Sequence, residues 1–254
     1  MMNFGGTIDL TTLDYPGKAA IVIFFRGCPF RCIYCHNHRL LTGENLVKEE
    51  EIEEKIKDAS TFLSAVVFSG GEPFMQFDSL LRLARFTKDL GLLVGIETEG
   101  YYPDKLRALS DKGLIDTLFL DVKAPLDDPV LYYKITGCRD AAEHVKETLD
   151  YALNCDFKLE IRTTVFKGLI GKDEVEKIAC SLEGFEGRYV IQEGMQDLAP
   201  GDVIKNLPAL TYDEVREMGE IAGKHIDRVG IRTKEIGLEI LLKPQGISSS
   251  VDKA

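Results

Sequence analysis

The sequence predicts an α/β chain folded as a partial (β/α)6 barrel of the TIM-like kind. Three observations carry that prediction. Short β-rich runs alternate with longer segments of helical period about six times. Every unusual polar or glycine-rich stretch falls at the carboxyl end of a β run, which in a barrel is the functional face. Six units are too few to close the usual eight-stranded barrel, so one side wall is expected to stay open.

The first run, AAIVIFF at 19–25, is β-branched and aromatic, and RGCPFRCIYCHNHRL at 26–40 follows it as a loop. SAVVFS at 64–69 leads into GGEP, and LLVGIE at 92–97 leads into TEGYY. DTLFLDV at 116–122 ends in DVKAP, FKLEIRTTV at 157–165 runs into FKG, and RYVIQ at 188–192 opens into QEGMQ. Helices are expected near 47–59, 77–90, 103–112, 140–154, 172–182 and 211–223, and RVGIRT at 228–233 has the character of a further strand. Strict alternation implies a parallel sheet. A doubly wound sheet would gather its ligands at one switch point, whereas these stretches are spread over six strand ends. No linker divides the chain, so residues 1–240 are expected to form one domain and 241–254 a loose C-terminal tail.

A chain of 254 residues with 44% hydrophobic and 29% charged residues is globular and buries a substantial core. Its apolar runs are far shorter than the roughly 20 residues of a membrane helix, and the opening residues lack a secretory pattern. A cytoplasmic protein with no membrane partner is expected. The net charge of -11 argues against a phosphate-binding surface, so nucleic acid is not expected as a partner either. KEEEIEEKIKD at 48–58 reads as an exposed helix face of charge pairs. Of the six cysteines, Cys138, Cys155 and Cys180 stand apart and are expected to be buried apolar residues; Cys28, Cys32 and Cys35 form the single cluster.

The spacing of that cluster is Cys-x3-Cys-x2-Cys. With His38 it composes a Cys3His set that zinc could bind. The other reading is a [4Fe-4S] cluster held by three thiolates, with one iron left open to a ligand. Two glycines in GGEP allow backbone to approach a ligand closely, because neither carries a Cβ. Taken together, CPFRCIYC, including the aromatic Tyr34, and SGGEP at 69–73 resemble the two motifs of the radical S-adenosylmethionine superfamily. YCHN at 34–37 and GTIDLTTLDYPGKAA at 6–20 resemble activating proteins of glycyl radical enzymes, most of all those of anaerobic ribonucleoside-triphosphate reductase.

The resemblance implies cofactors, roles and partners. Cys28, Cys32 and Cys35 would hold the [4Fe-4S] cluster, and Gly70, Gly71 and Glu72 would bind the ammonium of the methionine moiety of S-adenosylmethionine. Tyr34, Glu97, Thr98 and Arg162 would also lie at the cofactor, a salt bridge to Glu97 or Asp121 being the plainer reading of Arg162. Asp121 and Lys123 would stand at the reacting centre, with a monovalent cation as an additional candidate ligand there. The pyruvate formate-lyase activases carry a histidine after the sixth strand; here Gln192 or Glu193 stands in that region. The implied activity is reductive cleavage of S-adenosylmethionine to a 5'-deoxyadenosyl radical that takes hydrogen from a glycine of a partner glycyl radical enzyme. With no second cysteine cluster, electrons would come from flavodoxin or ferredoxin. Two other readings stay open: a radical enzyme on a small metabolite, resembling 7-carboxy-7-deazaguanine synthase, and a metal-binding or electron-transfer module without turnover.

Overall fold

Ten strands join one sheet in the computed structural model, which describes residues 1–241. In chain order the elements are β1 (Met2–Thr11), β2 (Ala20–Phe25), β3 (Leu46–Val47), α1 (Glu49–Ala59), β4 (Ala65–Gly70), α2 (Phe77–Asp89), β5 (Leu93–Thr98) and α3 (Pro103–Ser110). They continue with β6 (Thr117–Asp121), α4 (Pro129–Thr136), α5 (Ala141–Ala152), β7 (Lys158–Val165), α6 (Lys172–Ser181) and β8 (Arg188–Glu193). The last are α7 (Asp202–Lys205), α8 (Tyr212–Ala222), β9 (Val229–Thr233) and β10 (Gly237–Leu241). The strand order is β10-β9-β8-β7-β6-β5-β4-β2-β1-β3. From β2 to β9 every neighbouring pair is parallel. The six expected strands are therefore present in a mixed α/β sheet, and the 228–233 run adds a seventh parallel strand as β9.

The sequence pattern explains the layers. β2 reads AIVIFF and is almost wholly buried, as a central parallel strand covered on both faces must be. α2 buries Leu80, Leu83 and Ala84, the spacing of one helical stripe. α1 buries Ile52 and Ile56 and turns its acids outward. Five elements depart from expectation, of which β3 and α7 are runs of only two and four residues. β1 escapes pattern reading because Gly5 and Gly6 interrupt it and its pairing with β2 slips twice. β10 pairs antiparallel with β9 through GLEIL, too short a run to stand out. α4 is built from PVLYYKIT, poor helix formers, but its ends are well made: the Asp128 side chain accepts from Leu131 N, Pro129 opens the first turn, and Gly137 closes it in a left-handed conformation at φ +67. The expected tail beyond Leu241 lies outside the described residues.

The inside of the barrel is divided by height. Tyr15 enters at the amino end of the strands and packs with Ala20, Val22, Ala65, Val67 and Phe119, and its hydroxyl meets Thr117 Oγ1 at 2.7 Å. Two residues further along each strand, Val67 gives way to Ser69, Gly95 to Glu97 and Phe119 to Asp121, so the same face becomes polar toward the carboxyl ends. That polar end is where the cysteine loop sits.

Candidate active site

The cysteine loop is fixed by the main chain around it. Gly27 opens it at φ +88, a conformation that side chains resist. Gly71 N donates to Phe25 O and Glu72 N to Gly27 O, each at 2.8 Å, so the GGEP turn extends the parallel ladder past the end of β2. On its other side the loop lies against the end of α4, where Arg31 N donates to Thr136 O at 2.7 Å and Ile33 N to Ile135 O at 3.0 Å. These donors satisfy carbonyls that a helix end otherwise leaves free. A Cβ on Gly71 would overlap the Gly27 carbonyl. Gly71→Ala is therefore expected to cost about 1–3 kcal/mol, read as a lowered urea midpoint at unchanged slope; an unchanged midpoint would show that the two turns do not need this approach.

Cys28 and Cys32 are buried and Cys35 is half-buried, and all three are free thiols. Phe30 N donates to Cys28 Sγ at 3.4 Å. Burial pushes all three thiols upward, reinforced at Cys28 by Glu99 and Glu72 and opposed at Cys32 by Lys123. Thiols so placed become thiolates when a cationic centre binds them. Among the described residues no three His, Cys, Asp or Glu side chains close on a single metal ion, and His38 Nδ1 lies 3.1 Å from Cys35 O. His38 is engaged by the loop backbone rather than by the thiols. Three soft donors on one loop, with a backbone N–H already aimed at a sulfur, suit an iron–sulfur centre instead.

The acids around the loop divide into two groups. Glu72 is fully buried; Phe74 N donates to its Oε1 at 3.0 Å, and Thr98 Oγ1 and Glu99 N donate to its Oε2 at 2.9 and 2.8 Å. Burial pushes this carboxyl up to about 7, against the pull of the Phe74 amide and with Glu99 adding to the rise. Glu72 thereby ties the turn after β4 to the end of β5. Beside it, Lys123 Nζ lies 2.6 Å from Glu99 Oε2 and 3.1 Å from Asp121 Oδ2, and 5.9 Å from the Tyr34 ring centroid. Burial opposes the charge on Lys123, yet Glu99 and Asp121 outweigh it and hold the ammonium protonated. Tyr34 is buried against Phe166, ring centroids 4.9 Å apart, and its hydroxyl has no hydrogen-bond partner among the described residues.

The second group lies deeper in the barrel. Arg162 Nη1 donates to Glu97 Oε1 at 2.6 Å and Nε to Glu160 Oε1 at 2.7 Å, while Ser69 Oγ donates to Glu97 Oε2 at 2.5 Å. The Arg162 guanidinium lies 4.2 Å from the Phe119 ring centroid, and its Nη2 has no hydrogen-bond partner among the described residues. The plainer reading of Arg162, a salt bridge to Glu97, is formed. Gln192 Oε1 accepts from Arg232 Nη1 at 3.0 Å, and Glu193 Oε2 accepts from Lys234 N at 2.9 Å. Both side chains in the region of the missing histidine are thus bound to the end of β9.

The structure brings Cys28, Cys32, Cys35, Tyr34, Glu72, Thr98, Asp121 and Lys123 to one end of the barrel, with Glu97 and Arg162 paired just inside. Glu99 is the residue that sequence reasoning missed. Its signal was its place in TEGYY, directly after β5, where period two carries a side chain to the same face as Glu97. Cys138, Cys155 and Cys180 correct an expectation: none is buried, since the first two are half-buried and the third exposed. Cys138 Sγ donates to Asp140 Oδ1 at 3.0 Å and Cys155 Sγ to Tyr151 O at 3.4 Å, contacts of a polar surface rather than a core. Cavity size does not mark the site. A space of about 1030 Å³ lies at the opposite, amino end of the strands, lined by Tyr15, Lys18, Glu160, Phe185, Arg188 and Arg228, away from all three clustered cysteines.

Comparison with known proteins agrees with the donor set. Residues 22–179 match the Radical SAM superfamily. A protein of Methanocaldococcus jannaschii named as a glycyl-radical enzyme activating enzyme is 35% identical over 233 residues, covering 90% of this chain and 95% of the relative. The pyruvate formate-lyase-activating enzyme of Clostridium pasteurianum is 31% identical over 175 residues, 66% of this chain and 70% of its own. Among solved structures, TYW1 with a lysine-pyruvate adduct aligns at a TM-score of 0.65 and 18% identity, over 88% of this chain and 79% of that one. SuiB of Streptococcus suis bound to S-adenosylmethionine aligns at 0.64 and 16%, over 84% and 51%. These two likenesses speak to the fold. Proteins of the matched superfamily work with a [4Fe-4S] cluster and S-adenosylmethionine. By its matched residues, its thiol donors and its barrel, the chain belongs to the radical SAM superfamily.

Proposed function

We propose that this chain is a glycyl radical enzyme activase, with an anaerobic ribonucleotide reductase as its partner. The observation that carries the reading is the three-thiol loop beside the buried Lys123, Glu99 and Asp121 group, in a chain similar over 90% of its length to a protein named as such an activase. When bound, the cluster and S-adenosylmethionine supply reductive cleavage and a 5'-deoxyadenosyl radical that abstracts hydrogen from a glycine Cα. Cys28, Cys32 and Cys35 hold the metal centre. Gly70 and Gly71 bring backbone to the ligand, and Glu72, with its carboxylate already fixed, keeps that backbone against the end of β5. Lys123 and Asp121 are the charged groups nearest the reacting centre. Asp121 is the more exposed of the two and the candidate ligand for a monovalent cation. Tyr34 and Thr98 line the cofactor side; Glu97 and Arg162 brace the floor beneath it, and Gln192 stands at the rim.

The sheet supports a macromolecular substrate. Its edges are β10 and β3, which do not pair with each other, so the barrel has an open side through which a partner loop can enter. Joining all ten strands in one sheet also favours reading residues 1–240 as one domain. No helix among the described residues is long and apolar enough to cross a membrane, and six free cysteines suit a reducing, cytoplasmic setting. A flavodoxin or ferredoxin serves as reductant. The test is anaerobic reconstitution with S-adenosylmethionine and purified anaerobic ribonucleotide reductase, scored by electron paramagnetic resonance. A glycyl doublet that grows with incubation is expected. No doublet with any glycyl radical partner, together with a low-molecular-weight product formed without one, would transfer the chain to the small-metabolite reading.

A further inference from the structure

The open side of the barrel is flanked by two strand edges that are built differently. On one flank the edge is blunted. There β3 pairs with Met2 and Asn3, Asn45 O accepts from Phe4 N at 2.9 Å, and the pairing of β1 with β2 slips between Phe4 and Gly6 and again between Ile8 and Thr11. Such slips twist an edge strand, and a short covering strand caps it; both hinder a further strand from joining. On the other flank β10 pairs with β9 in unbroken register, from Gly237 against Thr233 to Leu241 against Val229, and its outer edge meets no strand among the described residues. The run GLEIL holds no proline and no lysine. Ile240 is 44% exposed, and Ile236, in the turn just before the strand, is 55% exposed. A regular apolar edge, with alternate N–H and C=O groups turned outward, is a template for one more strand.

The placing of β10 on the barrel decides what an added strand would do. Because β10 runs antiparallel to β9, its Gly237 end stands at the carboxyl ends of the parallel strands, the side of the cysteine loop. Its two faces differ. Leu241 reaches α8, where a Cβ on Gly219 would meet its Cδ1, and Glu239 Oε2 accepts from Tyr212 OH at 2.7 Å, so both turn to the helix layer. Leu238 and Ile240 alternate with them and turn inward. They flank Gly230, two residues from Arg232, whose guanidinium reaches Gln192 Oε1 at 3.0 Å and Leu13 O at 3.5 Å on the inner side. A strand added to β10 therefore extends the wall toward β1, with alternate side chains turned into the barrel and one end carried to the mouth. A second copy of this chain is a poor occupant. Two β10 strands paired in full register would be centred on Glu239, the middle of five residues, and would set it against its own copy, on chains of net charge -11 each. Hydrogen transfer from a glycine Cα instead needs main chain brought to the site, which strand addition supplies while asking little of the incoming side chains.

We propose that the outer edge of β10 takes an extended segment of the glycine-bearing partner protein as an added strand, apolar on the face beside Leu238 and Ile240 and basic on the face beside Glu239, and so guides the glycine through the open side. This rests on the activase reading.

The test uses reconstituted holoprotein and purified anaerobic ribonucleotide reductase. Amide hydrogen exchange of the wild type should show protection gained across Gly237–Leu241 when the reductase is added, and none across residues 5–10 of β1. I236K/I240K, which sets lysines along the edge, should weaken reductase binding at least about tenfold and slow growth of the glycyl doublet, with cluster absorbance after reconstitution unchanged. I8K/L10K, an equal change on the blunted edge, should leave binding within about twofold. The added strand is overturned, even where the doublet forms, by any of three results: β10 amides already protected in the free protein and unchanged by the reductase, equal weakening by the two double variants, or a dimer in sedimentation that I236K/I240K dissociates. Absence of a doublet with every glycyl radical partner would count against the activase reading instead. If the reductase still binds in that case, exchange at β10 decides the edge; if it does not bind, the edge falls with the reading.

Discussion

Cys32→Ala protein should emerge from anaerobic iron–sulfur reconstitution without cluster absorbance, and should form no 5'-deoxyadenosine from S-adenosylmethionine under dithionite. The loss should be complete because the loop offers three thiols and no nearby substitute: His38 faces the Cys35 carbonyl, and Cys138, Cys155 and Cys180 lie elsewhere on the surface. The fold should survive. The loop is held by backbone bonds to Glu72, Ile135 and Thr136, none of which uses the thiol, so the far-ultraviolet circular dichroism of the variant should overlay that of the apo wild type. Cleavage activity retained in this variant would remove the cluster assignment.

Lys123→Met is expected to destabilise the apo protein by about 3–5 kcal/mol. Side chains of Lys123 and Glu99 are 7% and 19% exposed, so removing the ammonium strands a carboxylate in a place where water screens it little. An exposed pair would be worth at most about 1 kcal/mol. The double variant K123M/E99Q should recover most of the loss, since the second change removes the stranded charge along with its partner. Urea unfolding of the wild type, both single variants and the double variant closes the cycle. A cost below about 1 kcal/mol for K123M would show that Glu99 does not depend on this ammonium.

Much of the fold was legible because parallel α/β chains repeat one physical pattern. AIVIFF, AVVFSG and TLFLD are short apolar runs that can be buried only between layers, and the amphipathic stretches between them have to cover those layers. What escaped reading depended on tertiary support. β1 contains two glycines and stays extended because β2 holds it; α4 has weak propensity and forms because Asp128, Pro129 and Gly137 shape its ends. The site divided along the same line. Cys28, Cys32 and Cys35 announce themselves by spacing, since one loop must present all three. Glu99 does not, because its importance arises from burial beside Lys123, a residue 24 positions away that only the packing of β5 against β6 brings near. Arg162 was visible as an unusual charge in a strand, but its attachment to Glu97 and Glu160 depended on knowing which strand faces line the barrel.

The seat of the sulfur ligands is moulded by carbonyls at a helix terminus and by a neighbouring glycine turn, before any inorganic guest arrives. Should air strip the iron, the mould stays behind, and repair becomes a matter of refilling rather than refolding.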